Sequence, residues 1–368
     1  MEVTGVFEPQ PGMRVVVRYS DGGQLTDALG HVLAADADSV TVDSKRGPVR
    51  IERASIELAH EIPPAPQRPG PVHSTVSAAD LRRISAQVWL PGESVWLNRD
   101  AVAEELTSDE GAVSAVESGW LLRAAAGADA RANSALVLTD PQIPAEEALG
   151  AVEKWYIDRG LPPALQIFSG EAGGELDSAS AQVSQLLRPA GFSPSDTWLT
   201  MTAPAREVAG AAQPPQGLEI VQSDQAHTAH LAAWGHDDTE DMRALLHSAP
   251  QVIFLSAVAV HPDGSKSLVG AVRLAIASKW GWLDNLVVNP QLRRRGAGKA
   301  LVQAAARLAA VQGIRSLGCD VPAANEEAAA LLAGLGFKEH HRFWFAVQEA
   351  AAGGNTEQPT GLSRRRSC

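Results

Sequence analysis

Arg293, Arg294 and Arg295 stand directly before Gly296 and Gly298 in the stretch NPQLRRRGAGKALVQAAARLAA, where an apolar run ends and an alanine-rich helix begins. Lys299 follows in the same turn. The first turn of a helix exposes unpaired N–H groups and a partial positive charge, so an anion is stabilised there. Glycines let the anion reach the backbone without a Cβ in the way, and guanidinium forks add charge-assisted hydrogen bonds. The chemistry open to this set is the grip of a phosphate or diphosphate. Leu301, Ala304, Ala305, Leu308 and Val311 then recur at helical spacing, so the turn opens an amphipathic helix that packs on a sheet.

Three anion-binding patterns compete for these residues. A phosphate loop has Ser or Thr after its Gly-Lys and a glycine five positions before the second glycine; here Ala300 follows Lys299 and position 293 is arginine. A dinucleotide turn needs a third glycine where Leu301 stands. The diphosphate loop of acyl-coenzyme A binders, Arg/Gln-x-x-Gly-x-Gly/Ala, fits Arg293, Gly296 and Gly298 directly.

On this motif and a second one downstream, residues 218–348 resemble the GCN5-related N-acetyltransferase (GNAT) superfamily. A strand ending at Val288, then Asn289-Pro290, the arginine–glycine turn, a helix and a strand lead to NEEAAALLAGLGF. There Asn325, Ala328, Leu331, Gly336 and Phe337 fill the family's later pattern. The resemblance implies an α/β fold (α+β, with a mixed, mostly antiparallel sheet) and acetyl-CoA as cosubstrate. It implies roles at matching positions only. Leu286, Val287 and Val288 become a splayed strand whose backbone pairs with the pantetheine arm. Arg293, Arg294, Arg295, Gly296, Ala297, Gly298 and Lys299 wrap the pyrophosphate. Asn325 faces the far side of the coenzyme, and it also reads as the N-cap of its helix.

Acetyl transfer to an amine by direct attack in a ternary complex needs a base for the amine proton and a donor for the developing oxyanion. A backbone N–H within 286–288 is the expected donor. Asp284 is the expected base, because strand alternation places it on the face of Leu286 and Val288; a solvated strand-end carboxylate and a water relay are the alternatives. The position at which the family often carries a thiolate-protonating tyrosine holds Leu332, and the chain's tyrosines, Tyr19 and Tyr156, stand elsewhere. That gap sustains a second reading, a non-catalytic module that senses acetyl-CoA.

For the acceptor, Asp237, Asp238, Glu240 and Asp241 read either as an ammonium site or as helix capping with Asp238 at the N-cap. Trp234, Trp280 and Trp282 read as a cation–π wall or as packing. His340 and His341 are expected on a partly exposed strand face, and Cys319 in the core. No His/Cys cluster has zinc spacing, so no metal is expected.

The elements that must position this set fall into pieces. Residues 1–62 read as a small SH3-like β-barrel: MRVVVRYS, ALGHVLAAD, SVTVDS, PVRIER and SIELAH are separated by turn chemistry. Residues 63–76 are a linker too rich in proline for helix or central strand. Residues 77–208 read as a degenerate GNAT-like half with no arginine–glycine turn, its run 131–138 being either cleft lining or a strand edge. Residues 209–217 form a second linker, 218–350 the catalytic GNAT domain and 351–368 a disordered tail. The layout resembles actinobacterial proteins that carry the same three parts, some described as histone-type acetyltransferases. This implies a small cationic amine or a protein lysine as acceptor.

The 368 residues carry 31 Lys plus Arg against 43 Asp plus Glu, a net charge of −12. That balance disfavours nucleic acid and anionic membrane as partners and attracts cations. Two cysteines make no disulfide framework. With no basic-then-apolar leader and no membrane-length apolar run, a cytoplasmic location is expected.

Overall fold

The computed structural model describes residues 9, 13–44, 47–61, 71–99, 117–125, 128–210 and 214–348. The chain divides into two compact units, Met1–Pro69 and Gly70–Cys368.

In the first unit, strands β1 (Arg14–Asp21), β2 (Gln24–Ala35), β3 (Ser39–Ser44), β4 (Gly47–Glu52) and β5 (Ile56–Glu61) form one antiparallel sheet. Period-two alternation turns Val15, Val17, Val40, Val42 and Ile51 into a single small core. The order is β4-β3-β2-β1-β5, a half-barrel; among the described residues no ladder joins β4 to β5.

The second unit starts inside the stretch expected as linker. Residues 63–70 lie outside the described residues, but Val72–Thr75 form a helical turn, α1, and Thr202 donates a hydrogen bond to its His73 carbonyl at 2.6 Å. Pro71 causes no conflict, because it precedes the turn, where its missing N–H is not needed. Helix α2 (Ala78–Gln87) follows, with Ser77 accepting from the Asp80 N–H as its cap. Then come β6 (Glu93–Leu97), β7 (Trp120–Ala124), β8 (Ala135–Val137), α3 (Ala145–Ile157), β9 (Ala164–Phe168), α4 (Ser178–Leu187), β10 (Phe192–Pro194), β11 (Trp198–Pro204) and α5 (Ala205–Ala209).

The remaining elements are β12 (Leu218–Ser223), α6 (Thr228–Trp234), α7 (Glu240–Leu246), β13 (Gln251–Val260), β14 (Lys266–Ala277), β15 (Trp280–Val288), α8 (Ala297–Val311), β16 (Ser316–Pro322), α9 (Glu326–Ala333) and β17 (Lys338–Gln348). Among the described residues only β15–β16 and β8–β9 pair in parallel, bridged by α8 and α3; the other ladders are antiparallel.

The stretches 77–208 and 218–350, expected as separate domains, share one 12-stranded sheet. β11 of the first stretch lies between β16 and β17, and β17 pairs with β9 and β10 of the first stretch. Each half lends its last strand to the other. The cores follow the strands: Met201, Ala203 and Val208 pack with Leu301, Ala305 and Leu317 on one face. On the other face Leu81, Ile84 and Trp89 pack with Leu231, Leu246 and Trp282.

Candidate active site

β15 pairs with β16 only from Trp280↔Ser316 to Leu283↔Cys319, while β16 continues beside β11 as far as Pro322. Past Leu283 the two parallel strands part. The Asn289 N–H bonds the Val269 carbonyl, on the β14 side, at 2.8 Å. Alternation therefore turns the backbone groups of Val288 and Leu286 toward the edge that β16 has left. This edge opens as a cleft of 670 Å³ walled by the end of β15 and the first turns of α8 and α9. Every residue expected to hold the cofactor lines it except Arg295, which is exposed.

The arginine–glycine turn adopts the backbone its composition allows. Arg294 and Gly296 have φ of 65° and 85°, and Gly296 is the N-cap of α8 with no side-chain cap. The first N–H groups of α8 are therefore left for whatever enters the cleft. A Cβ on Gly298 would lie 3.2 Å from Leu331 and 3.5 Å from Val288, so the glycine sets the closeness of α8, α9 and β15. Arg293 donates from Nε to the Val288 carbonyl at 3.3 Å and faces Glu327 of α9 at 3.5 Å. Asn325 caps α9 by accepting from the Ala328 N–H at 3.2 Å, and it lines the cleft as well.

The first half repeats the strand–helix–strand unit but not this chemistry. α3 starts from Pro144 and carries Glu146 and Glu147 in its first turn. Two carboxylates at that end repel an anion.

Asp284 corrects an expectation. It lies on the sheet face opposite Leu286 and Val288, because Asn285 and Leu286 bulge against a single residue of β14 and Asn285 takes a φ of 52°. The extra residue reverses the alternation. Asp284 thus faces the side of α2, α6 and α7, opposite Arg273 of β14. The cleft-lining side chains of Leu286 and Val288 and the carboxylate occupy opposite faces of β15, and Asp284 is the first residue past its last pair with β16.

Asp284 is 5% exposed, and its Oδ2 accepts from Arg273 Nη1 at 2.6 Å and Trp89 Nε1 at 3.0 Å. Its Oδ1 is buried with no partner among the described residues. Burial pushes the Asp284 carboxyl above the usual carboxylate range, against the pull of Arg273 and Arg131. Arg131 stacks 4.6 Å from Trp89 and is held by Asp129 at 2.8 Å. The His236 ring meets Trp89 edge-on at 6.3 Å, and burial and Arg131 push its pKa down.

The spacing of Trp89, Arg131, His236 and Arg273 does not single them out as a set, although run 131–138 reads as cleft lining or a strand edge. One signal was available: Arg273 is the single charge inside LVGAVRLAIA, and a charge in so apolar a strand needs a buried partner.

Other expectations sort by burial. Leu332 is 2% exposed and packs in the core. Trp234, Trp280 and Trp282 are core residues, and so is Cys319. Thr239, not Asp238, caps α7, accepting from the Met242 N–H at 3.2 Å; Asp238 instead pairs with Arg243 at 2.6 Å. His341 is fully buried, not on a partly exposed face, because β17 is an inner strand covered from both halves. Among the described residues no three His, Cys, Asp or Glu are grouped to hold a metal ion.

The model of the acetyltransferase (GNAT) family matches residues 219–337. That segment is a GNAT acetyltransferase domain. The chain is also 31% identical over 166 residues to the probable histone acetyltransferase Rv0428c of Mycobacterium tuberculosis, a match covering 43% of this chain and 45% of that protein. The match therefore spans under half of the relative. Solved structures that match the chain include a GCN5-related N-acetyltransferase from Kribbella flavida, with a TM-score of 0.46, 16% identity and coverage of 59% of this chain and 82% of that one. Another, from Sphaerobacter thermophilus, has a TM-score of 0.42, 19% identity and coverage of 58% and 71%. Among the described residues, no helix of the GNAT domain or of the rest of the chain is long and apolar enough to cross a membrane.

Proposed function

We propose that this protein is an acetyl-CoA-dependent N-acetyltransferase that acetylates a primary amine, on a small cationic molecule or a protein lysine, by direct attack in a ternary complex. The observation that carries the reading is the parting of β15 from β16: a glycine-floored, cation-rimmed cleft opens along the freed end of β15, and the buried Asp284 is the first residue past the last β15–β16 pair. The donor cleft fits the coenzyme's chemistry. Unpaired N–H groups of α8, Arg293, Arg294 and Lys299 would meet the diphosphate; Leu286 and Val288 offer backbone groups to an extended amide-bearing arm. A Cβ at Gly298 would narrow this floor.

The coenzyme supplies an acetyl thioester. The protein's own part is to orient, to exclude water and to move a proton. Asp284 Oδ1 takes the amine proton, and a backbone N–H of residues 286–288 donates to the developing oxyanion. The net charge of −12 favours approach of a cationic acceptor. The similarity to a probable histone acetyltransferase supports a protein lysine. In this reading residues 1–62 are an SH3-like module, 77–208 a degenerate GNAT-like half and 218–350 the catalytic half, working in the cytoplasm.

A second reading, an acetyl-CoA sensor, is favoured by two facts: Leu332 is buried where the family often has its acid, and Asp284 is ion-paired to Arg273. Thiol release, measured against a panel of lysine peptides and small polyamines, separates them. Acceptor-dependent release supports the enzyme; coenzyme binding by calorimetry without such release supports the sensor.

A further inference from the structure

Asp284 is fixed from the first half of the second unit. Trp89 and Val88 directly follow α2, and both reach the carboxylate's surroundings: Trp89 Nε1 donates to Asp284 Oδ2 at 3.0 Å, and the Val88 carbonyl accepts from Arg273 Nη2 at 2.7 Å. Arg273 also donates from Nε to the Leu246 carbonyl at the end of α7 at 2.8 Å, and from Nη1 to the same Asp284 Oδ2 at 2.6 Å. Arg273 is fully buried and cannot swing away without stranding these N–H groups. The Trp89 ring lies between two guanidinium groups, 4.6 Å from Arg131 and 5.1 Å from Arg273. Both donors fall on Oδ2. The carboxylate's charge is drawn to that oxygen, and its lone pairs are engaged. Oδ1 is buried with its lone pairs unengaged by any described residue.

We propose that Trp89 is a positioning residue of the reaction centre: its indole N–H, working with Arg273, locks Asp284 so that Oδ1 is the oxygen that accepts the proton. This rests on the reading of Asp284 as base, and it makes the half that lacks an anion turn a working part of catalysis. A tryptophan present for packing alone would be replaceable by any ring of similar size. The indole N–H distinguishes the two roles, because it touches the carboxylate and nothing else would compensate for it.

The test uses the full chain and three variants. Trp89→Phe keeps an aromatic ring and removes the N–H. The expected result is a fall in kcat of roughly tenfold or more, the loss of one hydrogen bond to a charged group, with KM for acetyl-CoA unchanged. The acid limb of kcat/KM should also move to higher pH, since a carboxylate that loses a donor protonates more readily. Arg273 of β14, Arg131 and Asp129 ahead of β8, and His236 between α6 and α7 all face or flank this carboxylate. His236→Gln assigns the limb: the one that persists belongs to Asp284.

A readout independent of turnover is the indole N–H resonance of Trp89, assigned by triple-resonance experiments on the isotope-labelled parent chain. It should move with pH alongside the acid limb and shift in Asp284→Asn. If Trp89→Phe does not fold, that resonance decides: movement supports the positioning role and a flat response overturns it. Wild-type kcat and pH profile in Trp89→Phe, with Asp284→Asn inactive, would overturn it while leaving the base in place. Full activity in Asp284→Asn would instead sink the base reading, and the positioning role with it.

Discussion

Arg82 Nη2 lies 2.6 Å from Asp320 Oδ1, across 238 positions of sequence. Arg82 sits on α2 with no exposed surface and stacks 4.3 Å from Phe343, while Thr200 of β11 donates to the same Asp320 oxygen at 2.8 Å. One carboxylate thus joins α2, β11 and β16 at the place where the halves exchange strands. Removing Arg82 leaves Asp320 charged and largely shielded from solvent, with 11% of its side chain exposed. Arg82→Met should therefore lower unfolding free energy by about 3–5 kcal/mol, measured by urea denaturation. A variant within 1 kcal/mol of the parent would show that the pair contributes little to joining the halves.

The exchange has its own test. A fragment of residues 218–350 lacks β11, so β16 and β17 lose the strand that separates them. The exposed ladders invite edge-to-edge pairing. The fragment should be aggregated on size exclusion, whereas a fragment beginning at residue 70 should be monodisperse with a cooperative melt.

The cleft floor is expected to be intolerant of bulk. Gly298→Val puts carbon into contacts already 3.2 and 3.5 Å from a would-be Cβ, and Gly296→Val adds a left-handed backbone that costs about 1–2 kcal/mol for a residue with a Cβ. Both should weaken coenzyme A binding by more than about tenfold in calorimetry, through lost close approach to backbone N–H groups. Undiminished binding in both would remove the basis for the diphosphate site.

Activity should rise with pH through the Asp284 titration, since the base works ionised and burial holds its pKa above the ordinary range. Asp284→Asn is expected to reduce kcat/KM by about 10²–10⁴-fold and to erase that limb, with coenzyme affinity retained.

Stability should move with pH for a different reason. Burial pushes His230 down to about 4 and His341 well below its ordinary value, so both are neutral in the fold. A folded pKa below the unfolded one gives stability that is complete above about pH 6.5 and lost as pH falls toward the folded pKa, at up to about 1.4 kcal/mol per unit for each group. Urea midpoints should therefore drop between pH 7 and 5. His230→Gln, which can still bond Ser256 Oγ, should flatten part of that drop.

The arginine–glycine turn at the start of α8 was legible because it is local. Arg293, Gly296 and Gly298 act within one helical turn, and their spacing alone selects among anion loops. The side of the sheet on which Asp284 lies was not legible, since the bulge at Asn285 comes from the pairing with β14, which a sequence period cannot register. The exchange of β11 and β17 was hidden for the same reason: each strand reads correctly as a strand, but its partners lie in the other half. Nothing in the spacing around Trp89 marks it, and only its bond to Asp284 gives it a further role.

β17 is the last of the described strands to leave the ribosome, yet it lies inside the sheet between β11 and β9. Until it is synthesised, nothing can close the ladders on either side of it. From the synthesis of β11 until that of β17 the nascent chain therefore carries two raw strand edges, and chaperones that shield such edges should release it only after β17 has emerged.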